Sequence, residues 1–233
     1  MRIGILQAGH APEPIRPEHG DFDAMFARLL AGHGFDFASF DVENMEFPDD
    51  PEACDGWLVT GSRHGAYEDH PFIPPLEDFL RACVAADRPL VGICFGHQII
   101  AQALGGTVEK FLGGWAVGKR SYDTRDGTLR LNAWHQDQVT RVPEGAEVLG
   151  GNDFCRNAVL AYGRAAWTIQ PHPEFGDALI GAYVAQKRPE GTYPDDLLDA
   201  AEADAARAEG TDAARVAAAI AAFLHRRETH AAL

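Results

Sequence analysis

Cysteine is scarce in this chain, and the four present, Cys54, Cys83, Cys94 and Cys155, lack the paired spacing that holds a metal. No bound metal is expected, and thiols kept reduced in a cytoplasm fit this usage best. Positive charge is also in deficit: 20 Lys and Arg face 35 Asp and Glu, a formal net charge of −15. Such a chain would be repelled by nucleic acid and by anionic membranes, so neither is an expected partner. No hydrophobic run approaches the length needed to cross a bilayer. The opening residues, Met1-Arg2-Ile3-Gly4-Ile5-Leu6-Gln7, read as a buried strand that turns polar at once, without the apolar run and small-residue cleavage site of a secretory signal. Glycine-rich Walker spacing is missing as well, no internal repeat is visible, and no cofactor is expected.

What is there reads as an α/β enzyme. The chain has 233 residues, 46% of them hydrophobic, enough for one large α/β unit with a sizeable core. Strand and helix signals alternate, as a parallel sheet with crossover helices requires. Strands are expected at residues 2–7, 35–42, 56–60 and 89–93. A helix over 21–32 carries Met25, Phe26, Leu29 and Leu30 on one face and is expected to end at Gly34. Pro74-Pro75 opens a second helix whose stripe is Leu76, Phe79, Leu80, Cys83 and Val84, which places Cys83 in the core. A third helix follows over 96–104. From 107 to 149 the pattern changes to short strands and turns, with Asp126-Gly127 as a hairpin signal, suggesting an antiparallel lobe at one edge of the sheet. After a helix over 175–186 and a polar break at 187–194, residues 195–226 are rich in alanine and charge and read as two helices around Gly210. The organisation is a catalytic region over 1–188 and a helical extension over 189–233. Packing on the domain and self-association into a homo-oligomer both suit that extension.

Chemistry concentrates in two places. In Val91-Gly92-Ile93-Cys94-Phe95-Gly96-His97-Gln98, a cysteine flanked by glycines sits where an apolar strand runs into a helix. That is the nucleophile-elbow pattern, in which a sharp turn pushes one side chain out above the sheet, and the helix N-terminus behind it favours a thiolate. Far downstream, Trp167-Thr168-Ile169-Gln170-Pro171-His172-Pro173-Glu174 reads as a short apolar strand ending in His-x-Glu. In the role logic of a triad, His172 takes and returns the proton while Glu174 holds the imidazole in the right tautomer. The two prolines make the loop a rigid mount.

Gly92-Ile93-Cys94-Phe95-Gly96-His97-Gln98 and Gln170-Pro171-His172-Pro173-Glu174 together resemble the catalytic signature of the class I (triad) glutamine amidotransferases. Trp57-Leu58-Val59-Thr60-Gly61-Ser62 falls where that family places its oxyanion loop, and Trp134-His135-Gln136-Asp137-Gln138-Val139 resembles its substrate-binding segment. The likeness covers roughly residues 1 to 175. It implies a flavodoxin-like three-layer α/β/α fold with a mostly parallel central sheet, and hydrolysis of the glutamine side-chain amide to glutamate and ammonia. It further implies Cys94 as nucleophile, His172 as base, Glu174 as orienting acid, and Gln98, Trp134, His135, Gln136 and Asp137 around the substrate. The backbone N–H of Phe95 is the expected first oxyanion donor. The second is expected from Gly61 or Ser62, although Ser62-Arg63 replaces the family's commoner glycine and proline.

Other candidates have plainer readings. His97 is expected to support the fold, His135 to lend its backbone to the pocket, and His70 to lie at the surface. His64, Tyr67, Glu68 and Asp69 suit either the rim of the site or an exposed loop, while Cys54 and Cys155 have no base nearby in sequence. The leading function is therefore a glutaminase-type amidotransferase whose ammonia serves a separate synthetase subunit, because this chain carries no nucleotide-binding stretch of its own. A stand-alone γ-glutamyl peptidase or hydrolase is the alternative enzyme. A non-catalytic regulatory binding module is the alternative outside catalysis.

Overall fold

The computed structural model describes residues 1–226; the end of the expected extension, 227–233, lies outside the described residues. Chain order begins β1 (Arg2–Leu6), α1 (Arg16–His19), α2 (Phe22–Leu29), β2 (Asp36–Phe40) and β3 (Gly56–Val59). It continues with α3 (Ile73–Ala85), β4 (Leu90–Ile93) and α4 (Phe95–Ala103). A run of strands follows: β5 (Thr107–Lys110), β6 (Ala116–Thr124), β7 (Gly127–His135), β8 (Asp137–Arg141), β9 (Glu147–Gly151), β10 (Val159–Tyr162) and β11 (Ala166–Ile169). Three helices complete it: α5 (Asp177–Lys187), α6 (Asp195–Ala206) and α7 (Ala213–Leu224).

Nine strands form one sheet in the order β2-β1-β3-β4-β11-β10-β9-β6-β7. The first five are mutually parallel, and of the antiparallel strands expected between 107 and 149, β6, β7 and β9 lie at one edge of that sheet, joined to it through β10. Among the described residues only β5 and β8 stand apart, as a two-stranded antiparallel pair. Asp126-Gly127 lies in the β6–β7 hairpin, which closes with Thr124 opposite Gly127. Strand β10 falls outside the sequence expectations because it is only four residues long and two of these are half-buried.

Period-two alternation sorts the parallel strands between two helical layers. Ile3, Ile5, Leu58, Val91, Ile93 and Ile169 point to the layer of α2 and α7, where they meet Phe26, Leu30, Val216, Ile220 and Leu224. Leu6, Trp57, Val59 and Leu90 point to the opposite layer, against Leu76, Leu80, Ile99 and Ile100 of α3 and α4. A third cluster joins α2, α5 and α6 through Phe22, Met25, Phe175, Leu179, Tyr183 and Leu198. The helical extension thus packs on the domain: Val216, Ile220 and Leu224 of α7 are fully buried with Phe223 half-buried beside them, and α6 seats its Ala201 against Gly118 of β6. Gly118 has φ +75°, and a Cβ there would lie 2.7 Å from the Ala201 Cβ.

Local chemistry explains most helix ends. Asp21 caps α2 by accepting from the backbone N–H of Phe22 at 2.9 Å and also holds the N–H of Ala11 at 2.8 Å. That helix stops at Leu29, short of the expected end, and Gly32 and Gly34 both take positive φ in the turn that follows. Prolines occupy the first turn of α3, where missing N–H groups cost little, and Phe79 and Val84 prove half-buried rather than core.

Candidate active site

Cys94 joins β4 to α4 with φ 54° and ψ −104°, a region that non-glycine residues avoid. Three backbone bonds hold it there: Cys94 N–H to Ile169 O at 2.9 Å, Gly96 N–H to Thr60 O at 3.1 Å, and Gln98 N–H to Cys94 O at 3.1 Å. The positive φ falls on the cysteine itself, not on the flanking glycines. Those are needed for close approach: a Cβ on Gly92 would lie 2.4 Å from Gly96 O, and one on Gly96 would lie 2.3 Å from Val59 O. Backbone strain of this kind costs on the order of 1–3 kcal/mol and persists where surrounding structure enforces it.

His172 follows β11, the strand beside β4, so parallel pairing brings the two loops together at the same sheet end. Its backbone N–H donates to Asn132 O of β7 at 2.8 Å, a bridge that also ties in the antiparallel strands. Its Nδ1–H donates to Glu174 Oε1 at 2.6 Å, and its ring stacks on Phe175 with centroids 4.0 Å apart and an interplanar angle of 10°. Burial pulls the imidazole pKa down, but the Glu174 carboxylate and the Cys94 sulfur outweigh it and raise the value to about 10. The ring therefore holds a proton at neutral pH. Glu174 Oε2 is buried without a hydrogen-bond partner, which concentrates the carboxylate's pull on that single imidazole contact.

A cavity of about 440 Å³ opens over this cluster and is lined by Cys94, His172, Ser62, Gln98, Trp134, His135, Gln136 and Asp137, among others. All the expected substrate residues thus meet in one place. Gly61 lies beneath the pair: a Cβ on it would be 3.0 Å from His172 Cε1 and 3.8 Å from the Cys94 Cβ. The Phe95 side chain points away into the core with Leu76 and Ile99, leaving only its backbone near the elbow. Gln98 Nε2 donates to Asp137 O at 2.9 Å and to Gln170 Oε1 at 3.1 Å, so its amide braces one wall. Burial keeps His135 neutral, its pKa lowered to about 3, and Nδ1 contacts Asp137 O at 3.2 Å. Burial also raises the Asp137 carboxyl, which accepts from the Tyr67 hydroxyl at 3.2 Å. His97 is fully buried, its pKa likewise lowered to about 3, and bonds Thr168 Oγ1 at 2.8 Å in support of the fold.

Among the residues left open between site and loop, His64 lines the cavity and bonds Glu43 at 2.8 Å, whereas Glu68 pairs with His70 at 2.8 Å on the exposed side. Cys54, Cys83 and Cys155 are buried free thiols in the core. Two neighbours of the site carried no assigned role in the sequence. Gln170 Nε2 donates toward Cys94 Sγ at 3.7 Å, and Trp115, Phe175, Tyr183 and Tyr193 build an aromatic side of the cavity. Gln170 sits two residues before His172, in the same short segment as the His-x-Glu motif, and could have been found there; the aromatic residues are scattered along the chain and only the fold gathers them.

The model of the family Glutamine amidotransferase class-I matches residues 39–187. Gamma-glutamyl peptidase 4 of Arabidopsis thaliana is 30% identical over 178 residues, covering 70% of this chain and 71% of that protein. The glutamine-hydrolyzing GMP synthase subunit of Halobacterium salinarum is 30% identical over 186 residues, covering 72% of this chain and 93% of that protein. A glutamine amidotransferase from Thermotoga maritima shares the fold with a TM-score of 0.73 over 97% of each chain at 22% identity. Fold and sequence agree that this chain belongs to the class I glutamine amidotransferase family.

Proposed function

We propose that this protein hydrolyses γ-glutamyl amides through a covalent thioester, with Cys94 as nucleophile, His172 as acid and base, and Glu174 as the group that orients and charges the imidazole. The observation that carries this reading is that Cys94 and His172 line one cavity while the buried Glu174 holds the imidazole from behind, with the Nδ1–Oε1 bond at 2.6 Å. The thiol proton of Cys94 passes to His172 as sulfur attacks the γ-carbonyl carbon. The oxyanion forms against the backbone N–H of Phe95 and a donor from Gly61 or Ser62. His172 then delivers its proton to the departing nitrogen; the C–N bond breaks, and an amine or ammonia leaves. Water, losing a proton to His172, attacks the thioester, the C–S bond breaks, and glutamate is released as the active pair is restored. Gln98, His135, Gln136 and Asp137 form the wall that holds the glutamyl head, Asp137 offering a carboxylate to its α-ammonium, while Trp134 borders the substrate from the aromatic side of the cavity.

The size of the cavity favours an amide larger than glutamine. At about 440 Å³ it lies within the roughly 300–1,000 Å³ range that encloses drug-sized ligands. The relation to the GMP synthase subunit supports a second reading, in which glutamine is cleaved and ammonia passes to a separate synthetase. Product mass spectrometry with glutamine and with γ-glutamyl dipeptides separates the two. Release of glutamate from dipeptides is expected; cleavage of glutamine alone favours the second reading, and glutamate from neither removes both.

A further inference from the structure

The aromatic residues of the cavity form a continuous series that starts at the catalytic imidazole. His172 stacks on Phe175 at 4.0 Å between centroids, Phe175 meets Tyr183 at 5.2 Å, and Tyr183 meets Trp134 at 5.3 Å. Trp134 in turn meets Tyr193 at 5.2 Å, and Tyr193 meets Trp115 at 4.6 Å. All five of these aromatic residues line the cavity, Phe175 and Tyr183 as buried rings and Trp115, Trp134 and Tyr193 as half-buried ones. Trp134 Nε1–H donates to the Tyr193 hydroxyl oxygen at 3.1 Å, which fixes the outer rings relative to each other. These outer pairs are tilted or edge-on, with interplanar angles of 59° and 68°, and their half-buried rings give the cavity an aromatic surface against which a further ring can pack.

Direction follows from the chemistry. In the mechanism above His172 protonates the departing nitrogen, so the leaving group lies on the imidazole side, where this series begins. We propose that Trp115, Trp134 and Tyr193 form a leaving-group subsite that selects γ-glutamyl amides whose amine carries an aromatic ring. This inference rests on the hydrolase reading. Tyr193 belongs to the segment between α5 and α6, so the C-terminal part of the chain sets substrate choice as well as packing.

The test compares γ-glutamyl-phenylalanine with γ-glutamyl-glycine. For the native enzyme kcat/KM is expected to be at least about tenfold higher for the phenylalanine compound. Trp115→Ala is expected to bring that ratio close to one, and Trp115→Phe to restore most of it. A ratio near one in the native enzyme, or one that survives Trp115→Ala, overturns the subsite while leaving the hydrolase reading in place. Binding is measured separately by tryptophan fluorescence on Cys94→Ala, which cannot turn over: tighter binding of the phenylalanine compound supports the subsite even if no amide is cleaved, and equal binding overturns it.

Discussion

At the scale of single residues, the proposed mechanism passes a proton between a sulfur and an imidazole that a carboxylate orients. Cys94→Ala removes the only atom able to form the thioester, and alanine fits the elbow; turnover is expected to fall beyond detection with the far-UV circular dichroism spectrum unchanged. His172→Ala removes both proton transfers, a loss of about 10²-fold to 10⁴-fold or more, and Glu174→Ala is expected to cost less because orientation is worth less than the base itself. Steady-state kinetics on the pair check the ranking; a larger loss for Glu174→Ala contradicts the roles assigned. Glu174→Gln keeps a hydrogen-bonding partner while deleting the charge that most raises the His172 pKa. An NMR titration of that imidazole is expected to move well below the native value of about 10, and an unmoved titration removes Glu174 as its cause.

At the scale of elements, the elbow depends on how closely α4 approaches β3 and β4. Gly96→Val would drive a side chain into the carbonyl of Val59, whose backbone has no room to yield. The expected result is a loss of stability of about 1–3 kcal/mol or more together with loss of activity, read as a lowered Tm. Gly118→Val meets a different obstacle, combining an unfavourable φ with the Ala201 Cβ, and is expected to loosen α6 while sparing the elbow. A Gly118→Val protein with native Tm would mean that α6 is not held by this contact. The elbow was legible in the sequence because glycine spacing records close approach between neighbours in the chain. Five parallel strands were legible too, since burial on two faces leaves apolar runs such as Leu90–Ile93. Of the four antiparallel strands extending the same sheet, β6, β7 and β9 fall in the stretch read as short strands around an Asp126-Gly127 hairpin; β10 and pairings such as β11 with β10, or Asn132 with His172, leave no local trace. Apart from Trp134, which the family resemblance places around the substrate, the aromatic wall was hidden for the same reason: Trp115, Tyr183 and Tyr193 lie on separate elements or loops, and each alone looks like an ordinary core or surface residue.

At the scale of the whole molecule, three buried histidines shape stability against pH in opposite senses. His172 has a folded-state pKa raised from 6.5 to about 10, so its contribution is complete below pH 6.5 and is lost as pH rises toward 10. His97 and His135 have values lowered from 6.5 to about 3, so theirs is complete above pH 6.5 and is lost as pH falls toward 3. Each group sets a limiting slope of about 1.4 kcal/mol per pH unit, and the sum is a stability maximum near neutrality. Urea midpoints measured between about pH 4 and 9 are expected to trace that dome, with the alkaline descent absent in His172→Ala. A midpoint still climbing at pH 9 contradicts the assignment for His172. Helix α7 also bears on how the molecule is made. Its Val216, Ile220 and Leu224 seal the underside of the strands that lead into Cys94, yet they are synthesised more than a hundred residues after it. A growing polypeptide therefore keeps that apolar surface uncovered until the far helix has emerged from the ribosome, and Cys94 gains its rigid seat only after that helix has docked.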